Sequence, residues 1–314
     1  TNIYFQNKLT EGPNTNVLLY EYFYNGAGVA LADFNGDQLL DIYFTSNMEE
    51  NKMYLNRGDF KFEDISKISK TQGRSGPWKT GVTAVDINGD QRMDLYVCYS
   101  GMLKEEKRRN QLFLNMGNNE EGIPQFTEVA KLYGLDSDAY SNQGYFFDYD
   151  RDGDLDMLLL NHNPKSLPVL GVSKTRVLLQ EDQPQTGLRL YEQKNRRFYD
   201  ITSQTQINGS SLSYGLGLAL ADFNNDGWTD FYLSNDYTIP DYLYLNNQAG
   251  DFINTLQESM PYTSHFSMGN DSGDINNDGF IDLMTLDMLP EDNKRQKLLQ
   301  APDNYNLFNL NIKR

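Results

Sequence analysis

The sequence predicts an all-β fold made of repeated four-stranded antiparallel units. An acidic nine-residue loop occurs five times in 314 residues, and successive loops begin 53, 62, 74 and 52 residues apart. Each loop is flanked by short apolar runs of strand character. The strand-like segments around the loops recur in a fixed order, and a repeat near fifty residues is typical of propellers and solenoids. We therefore predict a β-propeller of four-stranded blades.

The first unit shows how each blade is ordered. GVALADF leads into the acidic loop, which is followed by DIYFTSN, NKMYLN and FKFEDIS. The same order returns as GVTAVDI, DLYVCYS, NQLFLN and PQFTEVA, and again as GLALADF, DFYLSN, DYLYLN and DFINT. The third unit, from GYFFDYD to RRFYDIT, carries a long insertion. Because one unit cannot bury both of its faces, such units stack radially as blades.

A glycine stands near the start of each first strand. It lies five residues before the loop at Gly28, Gly81, Gly217 and Gly269, and four before it at Gly144. Glycine in a strand often marks a close approach of two backbones, as at a propeller axis. A simple turn glycine is the alternative.

The two ends of the chain predict how the ring closes. The segment TNIYFQNKL resembles the outer strands, so we expect an N-terminal strand that completes the last blade. The fifth unit has two strands, MGNDSGD and DLMTLDM, and no clear third or fourth strand after them. We expect residues 1–314 to form a single propeller domain, incomplete at its C-terminus and part of a longer polypeptide.

The loops read DFNGDQLLD, DINGDQRMD, DYDRDGDLD, DFNNDGWTD and DINNDGFID. Calcium is held by six to eight oxygen ligands, and alternate residues of a tight loop can direct their oxygens around one ion. Positions one, three, five and nine would supply side-chain oxygens, and position seven would supply a backbone carbonyl. The predicted ligands are Asp33, Asn35, Asp37, Leu39, Asp41; Asp86, Asn88, Asp90, Arg92, Asp94; Asp148, Asp150, Asp152, Asp154, Asp156; Asp222, Asn224, Asp226, Trp228, Asp230; and Asp274, Asn276, Asp278, Phe280, Asp282.

An EF-hand is the alternative to a strand–loop–strand site. It requires a bidentate Glu at position twelve and flanking helices. The twelfth positions here are Phe44, Val97, Leu159, Leu233 and Thr285, none of which can close such a cage. We therefore predict up to five calcium ions, which would change the net charge from −17 to −7. The third loop, which has Asp where the others have Asn at position three, is expected to bind most tightly.

The run YNGAGVALADFNGDQLLDIYFTSN and the four later loops resemble the FG-GAP/VCBS-repeat proteins. The likeness is strongest to the repeat region of bacterial surface proteins that carry an ASPIC/UnbV domain. It implies a calcium-binding propeller, often seven-bladed, with blades similar to those of the integrin α-subunit head. Gln38 and Gln91 depart from the pattern, which has Gly at that position. Since the position often requires a positive φ, we expect slight strain there.

Composition narrows the classes of partner and compartment. The net charge of −17 argues against nucleic acid, and no apolar run is long enough to span a membrane. Calcium loops suit a calcium-rich exterior, so we expect an extracellular, cell-surface or periplasmic protein of a bacterium. Cys98, alone in an apolar strand, is expected to be a buried thiol.

The blade-to-blade connections carry aromatic and polar residues suited to recognising a glycan or a protein at the cell surface. A calcium-stabilised binding or adhesion module is the first functional hypothesis. The alternative is a polysaccharide-acting hydrolase or lyase that uses carboxylates and His265 at the channel mouth. No catalytic residue is assigned, because no nucleophile motif is present. The ligand-face candidates are Trp78, Tyr140, Tyr214, His265 and Asp271.

Overall fold

The computed structural model describes residues 1–165, 171–236, 239–264, 266–288, 291–292 and 294–295. Within them lie four four-stranded antiparallel sheets and one two-stranded sheet. The strands are β1 (Val29–Ala32), β2 (Asp41–Phe44), β3 (Lys52–Asn56), β4 (Phe62–Asp64); β5 (Lys79–Val85), β6 (Asp94–Tyr99), β7 (Gln111–Asn118), β8 (Pro124–Glu128); β9 (Ser141–Phe147), β10 (Asp156–Asn161), β11 (Arg189–Lys194), β12 (Arg197–Asp200); β13 (Gly215–Ala221), β14 (Asp230–Asn235), β15 (Tyr242–Asn246), β16 (Phe252–Asn254); β17 (Ser267–Gly273) and β18 (Asp282–Asp287).

Each four-stranded sheet pairs its strands in chain order, first to second to third to fourth. Every acidic loop connects the first strand of a sheet to the second. This order and the antiparallel pairing confirm the predicted all-β propeller of four-stranded blades. The seven-bladed parent ring stays a prediction.

Short helices occupy connections for which the strand pattern gave no signal. Three of them directly follow a fourth strand, one lies between β6 and β7, and one lies in the long insertion of the third unit. They are α1 (Ser66–Ser69), α2 (Glu105–Arg108), α3 (Ala130–Tyr133), α4 (Val172–Gln180) and α5 (Leu256–Ser259), with 3₁₀ turns at Glu21–Tyr24 and Thr202–Gln204.

The described residues form two compact units. Unit 1 comprises Thr1–Phe146, Asp154–Leu159 and Tyr191–Asp200. Unit 2 comprises the described residues of Phe147–Gly153, Leu160–Leu190 and Ile201–Arg314. Sheets one and two belong to unit 1, sheets four and five belong to unit 2, and the strands of sheet three are divided. The single domain 1–314 stays a prediction.

The core lies between neighbouring sheets. In unit 1, Tyr43 and Leu55 of the first sheet pack with Val97 and Phe113 of the second. All six residues of β6 are buried, as expected for a strand covered on both faces. Cys98 lies in this strand, fully buried, and burial raises the pKa of its thiol well above the usual range.

Two of the first-strand glycines, Gly28 and Gly217, are confirmed as points of close backbone approach. A Cβ on Gly28 would lie 2.8 Å from the Val82 backbone nitrogen of the next sheet. A Cβ on Gly217 would lie 2.8 Å from the Cα of Gly269, likewise on the next sheet. Real Cβ atoms do not come this close to backbone, so only glycine fits.

The N-terminal segment differs from the expectation of an outer strand. Residues 1–11 contain no strand, and they lie against the first blade. The Phe5 ring stacks on Phe44 at 4.5 Å, and the Asn7 side chain donates a hydrogen bond to Asn47 at 2.7 Å. Side-chain and backbone contacts with blade one hold the segment, so the prediction that it forms a strand of the last blade was wrong for the described structure.

Candidate cation loops

We number the five acidic loops in chain order. In loop one the backbone N–H of Gln38 donates to Asp33 Oδ2 (2.7 Å) and that of Asp37 donates to Asp33 Oδ1 (3.1 Å). The first carboxylate thus orders the loop backbone by itself. The same pair of bonds recurs at Asp86, Asp222 and Asp274.

The side chains at positions three and five also bond to one another in the four loops that have Asn at position three. In loop one, Asn35 Nδ2 donates to Asp37 Oδ2 at 2.9 Å, and the Leu39 backbone N–H donates to Asp37 Oδ1 at 2.9 Å. The amide therefore takes one acceptor position on an oxygen that would also serve a cation, so the two compete. The equivalent pairs are Asn88–Asp90, Asn224–Asp226 and Asn276–Asp278, and the equivalent position-seven donors are Arg92, Trp228 and Phe280. That the residue at position seven supplies its backbone carbonyl to the cation stays a prediction.

Loop three differs because Asp150 replaces the asparagine and has no side-chain N–H to donate. One carboxylate oxygen from each of Asp148, Asp150 and Asp156 lies within 4.8 Å of the others. Among the residues that the structure describes, this is the one acidic, Cys or His cluster of that kind. The three are near neighbours in one continuous loop, although the loop is divided between the units.

A calcium ion fits this oxygen set. Asp148 Oδ1 is buried and has no hydrogen-bond partner, while Oδ2 accepts only the Gly153 N–H at 3.1 Å. Like charges this close repel one another unless a cation lies among them. Carboxylate oxygens are the ligands that a hard cation prefers. Asp148, Asp150 and Asp156 would hold the ion, with Asp152 as the predicted fourth side-chain ligand.

The aspartate at position nine of each loop also has a structural role, which the sequence did not reveal. Asp41, Asp94 and Asp230 are fully buried, and each accepts two backbone N–H bonds. Asp94 Oδ2 accepts from Ile87 at loop position two (3.2 Å), and Oδ1 accepts from Asn115 on the third strand (2.7 Å). The carboxylate thus joins its loop to the sheet. The corresponding donors are Phe34 and Asn56 for Asp41, and Phe223 and Asn246 for Asp230.

Burial dominates the electrostatics of these ninth aspartates. It raises the pKa of Asp94 to about 7 and the pKa of Asp41 and Asp230 to about 6, and the backbone bonds oppose the shift. The nearby loop carboxylates at positions one and five raise each pKa further. A cation in the loop would offset this repulsion and favour the charged form.

The strain expected at loop position six is confirmed. Gln38 has φ +69° and Gln91 has φ +66°, in the left-handed region. Gly153, Gly227 and Gly279 take the same conformation at the same position in the other loops. A side chain there costs about 1 kcal/mol or more, which glycine avoids.

Two of the predicted ligand-face aromatics are core residues. Trp78 is buried, with its ring 5.5 Å from Tyr20 and 5.1 Å from Phe23. Tyr214 is buried, and its hydroxyl donates to the Lys165 carbonyl at 2.9 Å. The expectation of exposed rings at these positions was wrong, because large aromatics in blade connections also fill space between strands.

The other three candidates have different environments. Tyr140 is half-buried at an open cleft of about 350 Å³, and the Arg108 guanidinium covers its ring at 4.1 Å. Asp271 is exposed on β17, where its Oδ1 accepts the Ser272 N–H at 2.9 Å. His265 lies outside the described residues.

A second open cleft, of about 450 Å³, bears on the hydrolase alternative. Both Asp241 and Glu258 line it. Asp241 is buried, however, and its oxygens accept the Tyr232 hydroxyl at 2.6 Å and the Asn235 N–H at 2.8 Å. Asp241 therefore stabilises the blade, and the cleft offers no pair of open carboxylates.

No helix in the described part of the chain is long and apolar enough to cross a membrane.

Comparison with known proteins identifies the repeat. Residues 33–97 and 222–285 match the family model of the FG-GAP-like repeat. Cartilage acidic protein 1 of Homo sapiens and of Mus musculus are each 29% identical to the chain over 148 residues, which is 46% of this chain and 22% of theirs. The Xenopus tropicalis protein is 29% identical over 157 residues, 49% of this chain and 23% of its own length. The matched region thus spans less than a quarter of these relatives.

Among solved structures, the chain is similar to a lectin of Agrocybe aegerita described as recognising non-reducing terminal N-acetylglucosamine. The two share 17% identity with a TM-score of 0.37 over 71% of this chain and 49% of the lectin. The predicted resemblance to FG-GAP-repeat propellers is confirmed by the repeat match and by the blade topology.

Proposed function

We propose that this chain is a calcium-stabilised β-propeller module that binds a glycan or a protein outside the cell. The observation that carries the calcium part is loop three, where three carboxylate oxygens gather within 4.8 Å beside the orphaned Asp148 Oδ1. The FG-GAP-like repeats support a binding module in general. The compartment follows from calcium chemistry, since weak oxygen sites fill only where calcium is abundant.

Loop three is the principal site in this proposal, and the other four loops bind more weakly. In those four the position-three amide already satisfies the position-five carboxylate. A cation must displace or rearrange that bond, whereas in loop three it relieves repulsion. Loop three therefore fills at lower calcium concentrations than the rest.

Calcium removal should lower the thermal stability of the chain. At tenfold excess over its dissociation constant, one bound ion adds about 1.4 kcal/mol to the folded state. We expect the melting temperature to fall by several degrees in excess EDTA and to recover when calcium is added back. Asp148→Asn should remove most of the calcium-dependent gain at low calcium, because it takes a charged oxygen out of loop three.

Glu120→Gln is the matched control, since it removes one exposed charge from a turn outside the loops. It should keep the full response to calcium. A melting temperature identical in calcium and EDTA for the unsubstituted chain would overturn the calcium part of the proposal. A response unaltered by Asp148→Asn would show that loop three is not the principal site.

The partner is tested by screening immobilised glycans and candidate proteins against the whole chain. We expect saturable binding in calcium that weakens in EDTA as the propeller loosens. Hydrolysis or elimination of a polysaccharide in the same assay would favour the alternative, a polysaccharide-acting hydrolase or lyase. If the chain binds neither a glycan nor a protein, the binding proposal is contradicted, and a purely architectural role is the remaining interpretation.

A further inference from the structure

The third-strand segments NKMYLN, NQLFLN and DYLYLN share a terminal asparagine, and the calcium chemistry gives it no role. These residues are Asn56, Asn115 and Asn246, and Gln193 stands at the same place in the third sheet. The backbone N–H of each donates to the ninth aspartate of its own loop, at 2.7 to 2.9 Å. The backbone role is therefore common to all four blades, and the side chains differ.

Two of these side chains reach the loop of the preceding blade. Asn115 Nδ2 donates to the backbone carbonyl of Phe34, the second residue of loop one, at 2.9 Å, and also to the Met93 carbonyl of its own loop at 3.2 Å. Asn246 Nδ2 donates to the carbonyl of Tyr149, the second residue of loop three, at 2.8 Å. Both asparagines, Phe34 and Tyr149 are at most 4% exposed. Each bond to the preceding blade thus satisfies a carbonyl that water cannot easily reach.

An aromatic contact runs beside each bond. The Phe34 ring meets Phe126, on the fourth strand of the second blade, edge to face at 6.0 Å. The Tyr149 ring meets Phe252, on the fourth strand of the fourth blade, at 6.2 Å. One hydrogen bond and one aromatic contact therefore join loop one to blade two, and an equivalent pair of contacts joins loop three to blade four.

We propose that Asn115 and Asn246 are positioning residues that couple neighbouring cation loops in pairs, loop one with loop two and loop three with loop four. Asp94 binds the N–H of Asn115 and belongs to the predicted ligand set of loop two. A cation that fixes Asp94 fixes the Asn115 backbone, and the Asn115 side chain then fixes Phe34 in loop one. The effect of a cation on the neighbouring loop rests on the proposed calcium binding. The bridge itself, which is the side-chain hydrogen bond from Asn115 or Asn246 to the preceding loop, needs no ion.

Asn56 provides the matched control. Its N–H donates to Asp41 Oδ1 as in the other blades, but its Nδ2 donates to the Leu40 carbonyl of its own loop at 3.0 Å. Both Asn56 Oδ1 and Asn115 Oδ1 accept a backbone N–H two residues further on, at 3.0 Å. Substitution by aspartate keeps that acceptor and adds the same charge beside the ninth aspartate. Asn56→Asp releases its own loop alone, whereas Asn115→Asp releases its own loop and the loop of the preceding blade.

The test is hydrogen exchange of the whole chain, read by mass spectrometry on peptides covering residues 33–41 and 86–94. In EDTA, Asn115→Asp should speed exchange about fivefold or more in both loops, since the side-chain hydrogen bonds to the Phe34 carbonyl of loop one and to the Met93 carbonyl of loop two are both lost. Asn56→Asp should speed exchange in loop one and leave loop two unchanged. Loop-one exchange equal in Asn115→Asp and the unsubstituted chain would overturn the bridge.

The effect of the cation is tested separately, by the same hydrogen-exchange measurement with calcium present. Asp90→Asn weakens calcium binding by loop two. As a single substitution it should therefore reduce the protection from hydrogen exchange that calcium gives to loop one. Combined with Asn115→Asp, it should leave that protection unchanged. Equal reduction in both backgrounds would overturn the coupling. If calcium protects neither loop in the unsubstituted chain, the proposed calcium function fails while the EDTA arm still decides the bridge. If Asn115→Asp does not fold, Asn246→Ala, read on residues 148–156 and 222–230, decides the same question.

Discussion

Replacing Asp94 with alanine is expected to lower the free energy of unfolding by about 4 kcal/mol in the absence of calcium. Two buried backbone N–H groups, of Ile87 and Asn115, lose their acceptor, and each unsatisfied group costs about 1–3 kcal/mol. The loop and the third strand are then no longer joined. Denaturant unfolding in EDTA measures the effect without any contribution from bound ions.

Asp90→Ala is the control for this prediction. Asp90 is a predicted ligand of the same loop, but it is half-exposed and bonds only within the loop. Its loss in EDTA should cost about 1 kcal/mol, the contribution of a typical net hydrogen bond. Equal costs for the two substitutions would mean that the ninth aspartate is a calcium ligand without a structural task of its own.

The second large effect is expected at Gly217. A methyl group on this residue would lie 2.8 Å from Gly269 Cα and 2.9 Å from the Asn270 backbone nitrogen. Backbone on a neighbouring strand cannot rotate away as a side chain can, so β13 and β17 must separate. We expect Gly217→Ala to cost about 3 kcal/mol, at the upper end of the usual range for overpacking. A thermal melt measures the change.

Gly269 occupies the equivalent position one blade later and gives a direct comparison. A Cβ there meets no atom within 4 Å among the described residues, and its φ is not positive. Gly269→Ala should change the free energy of unfolding by less than about 1 kcal/mol. If Gly217→Ala were equally mild, the close approach of the two strands would be wrong.

The blade order could be predicted because each strand carries a local signal. Apolar runs such as DLYVCYS and the turn residues between them fix the strands, and the loop spacing fixes the repeat. The place of the N-terminal segment could not be predicted in this way. Its contacts include the ring pair of Phe5 with Phe44 and the hydrogen bonds of Asn7 with Asn47, and contacts of this kind leave no periodic pattern.

The candidate site was predicted in outline and not in detail. The five loops were found from their spacing, and Asp150 at position three already predicted that loop three binds most tightly, but the hydrogen bonds made by the asparagines and the aspartate at this position could not be predicted. The structure separates them, because the Asn35 amide donates to Asp37 whereas Asp150 has no such donor. Trp78 failed as a ligand-face residue for a related reason, since composition does not tell whether an aromatic ring points to solvent or into the core.

The single cysteine gives the chain an internal probe of its own fluctuations. Cys98 is fully buried on β6, and the raised pKa of its thiol keeps it in the unreactive protonated form. A thiol reagent can therefore modify the folded protein only during moments when the second blade opens. The modification rate follows the population of that open state, so one residue reports how often this blade opens without any engineered label.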